Sequence, residues 1–233
     1  EYSQFKIEYI LQDGTAEFDA KQCLSIFKNI NMYMLVVDHY QLDRRWESLV
    51  WLRSIKLMVI DDLADRHHVC NVLLDSSYGR DKSEYQALTN PECHYLLAND
   101  YCLLREEFSN LTEQARLKRV KTKEISNILL NFGATDHKQL SVMMVNILQQ
   151  NKFSGEVHIL ISSTCKRLEE LKVFCDRSNK LTLHIDSMNV AQLMLNADLA
   201  IGSVGTSSSE RCCLGLPTIG VVVANNQVNI ARQ

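Results

Sequence analysis

Asp198-Leu-Ala-Ile-Gly-Ser-Val-Gly-Thr-Ser-Ser-Ser-Glu210, running on through Arg211-Cys-Cys-Leu-Gly-Leu-Pro217, is the stretch whose reading decides the fold. Its apolar triplet Leu199 to Ile201 predicts a short buried strand. The small residues behind it predict a tight loop, and a helix is expected to begin near Ser207. Gly202, Ser203 and Gly205 let backbone come close to a ligand. The start of the helix offers unpaired N–H groups and a partial positive charge, the ingredients of a phosphate cradle. Glu210 lies one turn in, placed to accept hydrogen bonds from sugar hydroxyls. Gly215 and Pro217 stop the helix, and Thr218 to Val223 is the next buried strand. Ser207-x-x-Glu210 is equally a capping box, in which serine and glutamate satisfy each other's backbone N–H groups. Local sequence leaves the two readings level.

Moving outward toward the N-terminus, the same strand–loop–helix alternation repeats. Strands are expected at 125–132, 157–162 and 181–185, with helices at 140–148, 167–175 and 190–196 between and after them. Four or more such units predict a parallel sheet with helices on both faces. Two strand-end loops, Gly133 to Asp136 and Gly202 to Ser207, then face one crevice of one sheet. That pairing makes a nucleotide-sized anion site a stronger reading than either loop alone.

The first half repeats the theme. An amphipathic helix is expected around Phe18, Cys23, Ile26, Phe27 and Ile30, and strands at 33–40, 56–62, 72–75 and 95–98. The first strand runs into Asp38, His39 and Tyr40, and the second into Asp61 and Asp62. Ligands of parallel sheets sit outside the carboxyl ends of strands, so Asp38, His39 and Tyr40 are candidates for chemistry. Strand-end capping competes for each of them. Paired carboxylates suit magnesium, but helix capping and pairing of Asp61 or Asp62 with Arg66 serve them as well, and no metal is expected. Residues 76–105 read as irregular, and the basic run Arg116 to Lys123 as a solvated connector between domains. The expected division is 1–110, a connector over 111–123, and 124–233.

Composition narrows the partners. A net charge of -3 and a basic run without interleaved aromatics give no argument for nucleic acid. No apolar run reaches the length of a membrane span. The eight cysteines include no C-x-x-C and read as reduced thiols of a cytoplasmic protein.

Met188-x-x-Ala191-x-x-Met194-x-x-Ala197-Asp198, the small-residue loop, Glu210, Gly215-Leu-Pro217 and Asn226-Gln227-x-Asn229 resemble the nucleotide-binding domain of GT-B enzymes related to the peptidoglycan N-acetylglucosaminyltransferase. With Val36-Val-Asp-His-Tyr40, Ile60-Asp-Asp-Leu-Ala-Asp-Arg66, Leu104-Arg-Glu-Glu-Phe108 and Ala224-Asn-Asn-Gln227, nearly the whole chain is similar to the bacterial hydrolase family that acts on UDP-2,4-diacetamido-2,4,6-trideoxy-β-L-altropyranose in pseudaminic acid biosynthesis. The resemblance implies two Rossmann-like domains facing a cleft, the N-terminal one incomplete here, with a UDP-sugar between them and no cofactor. It implies that Glu210 binds the ribose, that backbone around Gly205, Thr206 and Ser207 binds the diphosphate, and that Ile185 and Met188 flank uracil. Gly133 and Thr135 would line the phosphate and sugar side. Tyr40 and Asn226 would reach the sugar or the attacking water, with His39 and Gln227 nearby.

The implied reaction is attack of water on the anomeric carbon, releasing UDP with inversion, by a monomer. The family's base is a histidine in a Gly-x-Gly-His loop, which this sequence does not contain, so the chain by itself is expected not to turn over. Phe132-Gly133 also departs from the family's paired glycines. A GT-B glycosyltransferase with another acceptor, and a sugar-nucleotide binding module, remain the alternatives.

Overall fold

The structure, a computed structural model, describes residues 6–10, 14–51, 55–224 and 227–232. The chain divides into two compact units, Glu1–Cys102 and Leu103–Gln233.

The first unit is a four-stranded sheet of β1 (Met34–Asp38), β2 (Lys56–Ile60), β3 (Val72–Asp75) and β4 (His94–Leu97), paired in that order and all parallel. Three helices accompany it: α1 (Ala16–Phe27), α2 (Arg44–Val50) and α3 (Lys82–Gln86). Each begins where a side chain takes over a free backbone donor: Thr15 accepts from Phe18 N, Asp43 from Arg45 N, and Asp81 from Ser83 N. Val37, Leu57, Val59 and Leu73 from the sheet pack with Trp46, Val50 and Tyr85 to form the core.

The second unit holds α4 (Glu106–Lys121), β5 (Asn127–Asn131), α5 (Leu140–Gln150), β6 (Glu156–Ile161), α6 (Leu168–Asp176), β7 (Leu181–Ile185), α7 (Val190–Asn196), β8 (Leu199–Ser203), α8 (Ser207–Cys213), β9 (Thr218–Val221) and α9 (Gln227–Arg232). Its five strands are parallel, in the order β7-β6-β5-β8-β9. Alternation along β5 serves two cores. Ile128 and Leu130 join Val142, Val145, Ile159 and Leu171. Leu129 joins Phe108, Ala115, Met194, Leu195 and Leu214. Helices therefore cover both faces, as the near-continuous apolar strands require.

The basic stretch read as a solvated connector belongs to α4, inside the second unit. Two of its cations hold neighbouring helix ends. The Arg119 guanidinium donates to the carbonyls of Met194 (2.9 Å), Leu195, Ala197 and Leu214, and Lys118 to those of Asn196 and Ala197. These are carbonyls at the ends of α7 and α8, which have no partner within their own helices. Residues 76–105, expected to be irregular, contain α3, set by the reciprocal Asp81–Glu84 capping box.

Candidate functional site

The order β7-β6-β5-β8-β9 reverses direction between β5 and β8. Loops leaving adjacent strands on either side of such a reversal diverge to opposite faces and open a crevice at the carboxyl ends, where doubly wound sheets bind ligands. The two loops flanking it are the two singled out by sequence, 132–136 after β5 and 204–206 after β8.

The strands approach closely here. A Cβ on Gly202 would lie 2.2 Å from the carbonyl oxygen of Asn131, so only glycine permits this register. Beyond it, Val204 N donates to Val221 O, while Gly205 O and Thr206 O accept from Ser208 and Ser209. The N–H groups of Gly205, Thr206 and Ser207 have no partner among the described residues. A Cβ on Gly205 would meet only the Gln227 amide nitrogen, at 3.4 Å. The Gln227 carbonyl accepts from Val223 N at 2.9 Å, which fixes the amide beside the loop.

The loop after β5 is built similarly. Gly133 takes φ +92, a left-handed conformation natural to glycine, and has open space around it. Ala134 O accepts from Ser162 N (2.9 Å), and the Asp136 carboxylate accepts from Leu140 N and Ser141 N at 2.9 and 2.8 Å. The N–H groups of Gly133, Ala134 and Thr135 are unpaired among the described residues. Phe132, where the sequence departs from paired glycines, is buried in the core and turns away from the loop tip.

The capping box considered for Ser207 and Glu210 is not formed. The helix starts after Thr206, which makes no side-chain cap. The Glu210 carboxylate is instead approached by Arg105 Nη2 at 3.5 Å, and it retains 17% of its side-chain surface. Ile185 and Met188 are exposed at and beyond the end of β7. That strand lies three places from β8, roughly 14 Å at ordinary strand spacing. Between them Asp186, at φ +46, accepts from Ser163 N, and hydrogen bonds from Ser163 and Ser162 hold its carboxyl below the usual range. Asn226 lies outside the described residues.

In the first unit the carboxyl ends of β1, β2 and β3 gather a polar cluster. Tyr85, fully buried, places its hydroxyl 2.8 Å from both Asp61 Oδ2 and Asp75 Oδ2. Arg66 Nη1 pairs with Asp61 at 2.7 Å, and Arg80 pairs with Asp75. Asp61 also caps the following turn through Ala64 N (2.9 Å), so its oxygens are committed to structure. Asp62 differs. Its Oδ2 accepts from the exposed Tyr40 hydroxyl at 3.2 Å, while its Oδ1 is buried without a hydrogen-bond partner. Burial and the neighbouring Asp61 and Asp75 charges push the Asp62 carboxyl above its ordinary range, against the Tyr40 hydrogen bond. His39 Nδ1 accepts from Gln41 N at 3.1 Å, so the neutral ring carries its proton on Nε2 and has no free lone pair to activate water. Among the described residues, no three His, Cys, Asp or Glu side chains are placed to hold a metal ion, and no helix is long and apolar enough to cross a membrane.

Two residues, one in each unit, have surroundings that were not anticipated. Asp62 was read only as a capping or metal candidate. Arg211, on α8, is 2% exposed and lies against the loop after β8. The strand-end position of Asp62 is visible in sequence and Arg211 carries no signal, but the surroundings of both charges are set by what folds over them.

No protein-family model matches the chain. It is 27% identical over 211 residues to the UDP-2,4-diacetamido-2,4,6-trideoxy-beta-L-altropyranose hydrolase of Campylobacter jejuni, covering 90% of this chain and 73% of that protein. It is 23% identical to the uncharacterized protein MJ1062 of Methanocaldococcus jannaschii, of which it spans 42%. Among solved structures, MurG of Acinetobacter baumannii superposes with a TM-score of 0.59 at 15% identity, over 92% of this chain and 60% of that one. In sequence the chain resembles the Campylobacter hydrolase over nearly its whole length, and in fold it is an α/β protein of the GT-B type.

Proposed function

We propose that the chain binds a UDP-sugar and belongs to an enzyme that hydrolyses it at the anomeric carbon, releasing UDP. The observation that carries this reading is the pair of strand-end loops at the reversal point of the second sheet. Each offers three successive unpaired N–H groups, and Glu210 stands one turn beyond, free of any capping duty. Backbone donors fixed before the ligand arrives suit a diphosphate. They also suit a departing diphosphate, because charge that develops on the leaving group meets dipoles that need not reorganise. A carboxylate beside such a cradle suits a ribose diol.

In this reading Glu210 accepts from the ribose hydroxyls, Gly205 to Ser207 hold the diphosphate, and Gly133 and Thr135 line its sugar side. Ile185 and Met188 flank the base, and Gln227 orders the loop. Tyr40 acts on the sugar or the water. Its proton is donated to Asp62, so the hydroxyl oxygen turns acceptor lone pairs outward, fit to orient a water or an amide N–H. Hydrolysis of a diacetamido-trideoxy sugar, with inversion, is the specific activity inferred from the resemblance to the Campylobacter protein.

Calorimetric titration of UDP, with uridine as control, tests the site. UDP is expected to bind much more tightly than uridine, and Glu210→Ala to lower both affinities by about tenfold or more, the worth of hydrogen bonds to a charged acceptor. A folded chain that binds no UDP, or a Glu210→Ala variant that binds as well as the parent, refutes the assignment.

A further inference from the structure

Arg211 is the most buried cation of the second unit, at 2% exposure, and no carboxylate pairs with it among the described residues. Its Nη2 donates to Ser203 O at 2.7 Å and to Ser208 Oγ at 3.1 Å, bracketing the loop of unpaired N–H groups. Its Nε and Nη1 are buried and have no hydrogen-bond partner among the described residues. Nη1 stands 3.3 Å from the position a Cβ on Gly202 would take, the point where β8 presses on Asn131. The Asn131 carboxamide oxygen is itself buried without a partner. A charge withdrawn from water without a counter-ion is costly, and burial drives the guanidinium's pKa down. Such a group persists where an opposite charge arrives to complete it.

We propose that Arg211 is the positioning cation of the diphosphate site. It fixes both ends of the 203–208 loop and places a positive charge beneath it, whose counter-ion is the diphosphate of the bound nucleotide. The inference rests on the nucleotide reading of the same loop and names the electrostatic component that the N–H groups alone do not supply. Arg211 acts through the loop, since its own nitrogens are covered. A buried charge under a low-dielectric loop is felt more strongly than one in water. The benefit is confined to the charged part of the ligand.

The test separates phosphate from nucleoside. UDP and uridine are titrated into the parent chain, Arg211→Gln and Arg211→Lys, with thermal unfolding of each ligand-free protein. Arg211→Gln is expected to weaken UDP binding by about 10- to 100-fold, the range for a lost charge-assisted interaction, with uridine affinity within about threefold. Arg211→Lys, which keeps the charge and loses the two-pronged grip, should recover part of that loss. Ligand-free Arg211→Gln should be no less stable than the parent, because it relieves an unpaired charge. A folded Arg211→Gln with an unchanged ratio of UDP to uridine affinity overturns the proposal. So does a proportional loss of both ligands, or failure of both variants to fold, each of which assigns the residue to architecture alone. If the parent chain binds uridine and UDP equally, this proposal falls while the nucleoside site stands. If it binds neither, the nucleotide reading itself falls.

Discussion

Tyr40 has one proton to give and gives it to Asp62, whose second oxygen is buried and unpartnered. The carboxyl's pKa is raised, so the folded state prefers it protonated. Its contribution is favourable below the unfolded carboxyl range and is lost as pH rises through the folded value, which makes the carboxylate a net cost at neutrality. Asp62→Asn is therefore expected to raise the melting temperature by a few degrees (~2–4 °C) at pH 7 and to give no gain at pH 3. If Tyr40 has the proposed role, hydrolysis of the UDP-sugar should also be impaired, because the amide can donate to Tyr40 and turn its proton outward. Calorimetry at the two pH values, with a rate assay beside it, checks both halves. An unchanged rate would separate Asp62 from the chemistry. The position of Glu210, one turn past the glycine loop, was legible in sequence because that spacing is local. The surroundings of Asp62 and Arg211 were not, because a carboxylate in a buried cluster and a guanidinium under a loop look, in sequence, like any strand-end or helix-surface charge.

At the level of elements, the junction of α4 with α7 and α8 is made by side-chain heads on main-chain carbonyls. Arg119 alone serves four. Arg119→Ala is expected to cost about 2–4 kcal/mol, since four half-buried carbonyls lose their donor and water only partly replaces a planar fork. Urea denaturation followed by a probe in the second unit measures it, and a cost below about 0.5 kcal/mol would show those carbonyls to be resolvated. This junction also explains why the run looked like a solvated linker. The helix's apolar contacts, Phe108, Leu111 and Ala115, lie N-terminal to the run, which itself docks by charged heads and so shows no apolar periodicity. Strands β5 to β9, by contrast, were each placed to within a few residues, because each is a short apolar run. Of these, β5, β6 and β8 are largely buried, whereas β9, expected to be buried, lies at the sheet edge with Thr218 to Gly220 exposed. The short helix α3 escaped notice although Asp81 and Glu84 stand at capping-box spacing, two polar residues being a faint signal amid an irregular stretch.

For the molecule as a whole, acid is the expected weakness. Burial opposes ionisation of Asp198, but Lys118 and the backbone N–H groups of Ser126 and Asn127 outweigh it and hold the carboxyl below its ordinary range. Asp61 is held low in the first unit, against burial, by Ala64, Tyr85 and Arg66. Depressed carboxyls lend stability that is present above the unfolded value near 3.9 and fades as pH falls through the folded one. Denaturation midpoints should be level above about pH 5 and drop below about pH 4. Asp198→Asn should flatten that drop while lowering the plateau, and an unaltered slope would contradict the assignment. The alternating α/β architecture was legible from pattern alone. The strand order that aligns the two loops was not, since pairing of β5 with β8 is a relation between residues about 70 positions apart. That separation has a cost in time. On the ribosome, at roughly 5–20 residues per second, β5 emerges several seconds before the strand that will flank it on that side. The edge along Ile128 to Asn131 meanwhile stands open, an apolar template with unpaired amides. The ligand crevice thus cannot close until β8 arrives and, until then, its edge is a place where a nascent chain is exposed to pairing with another.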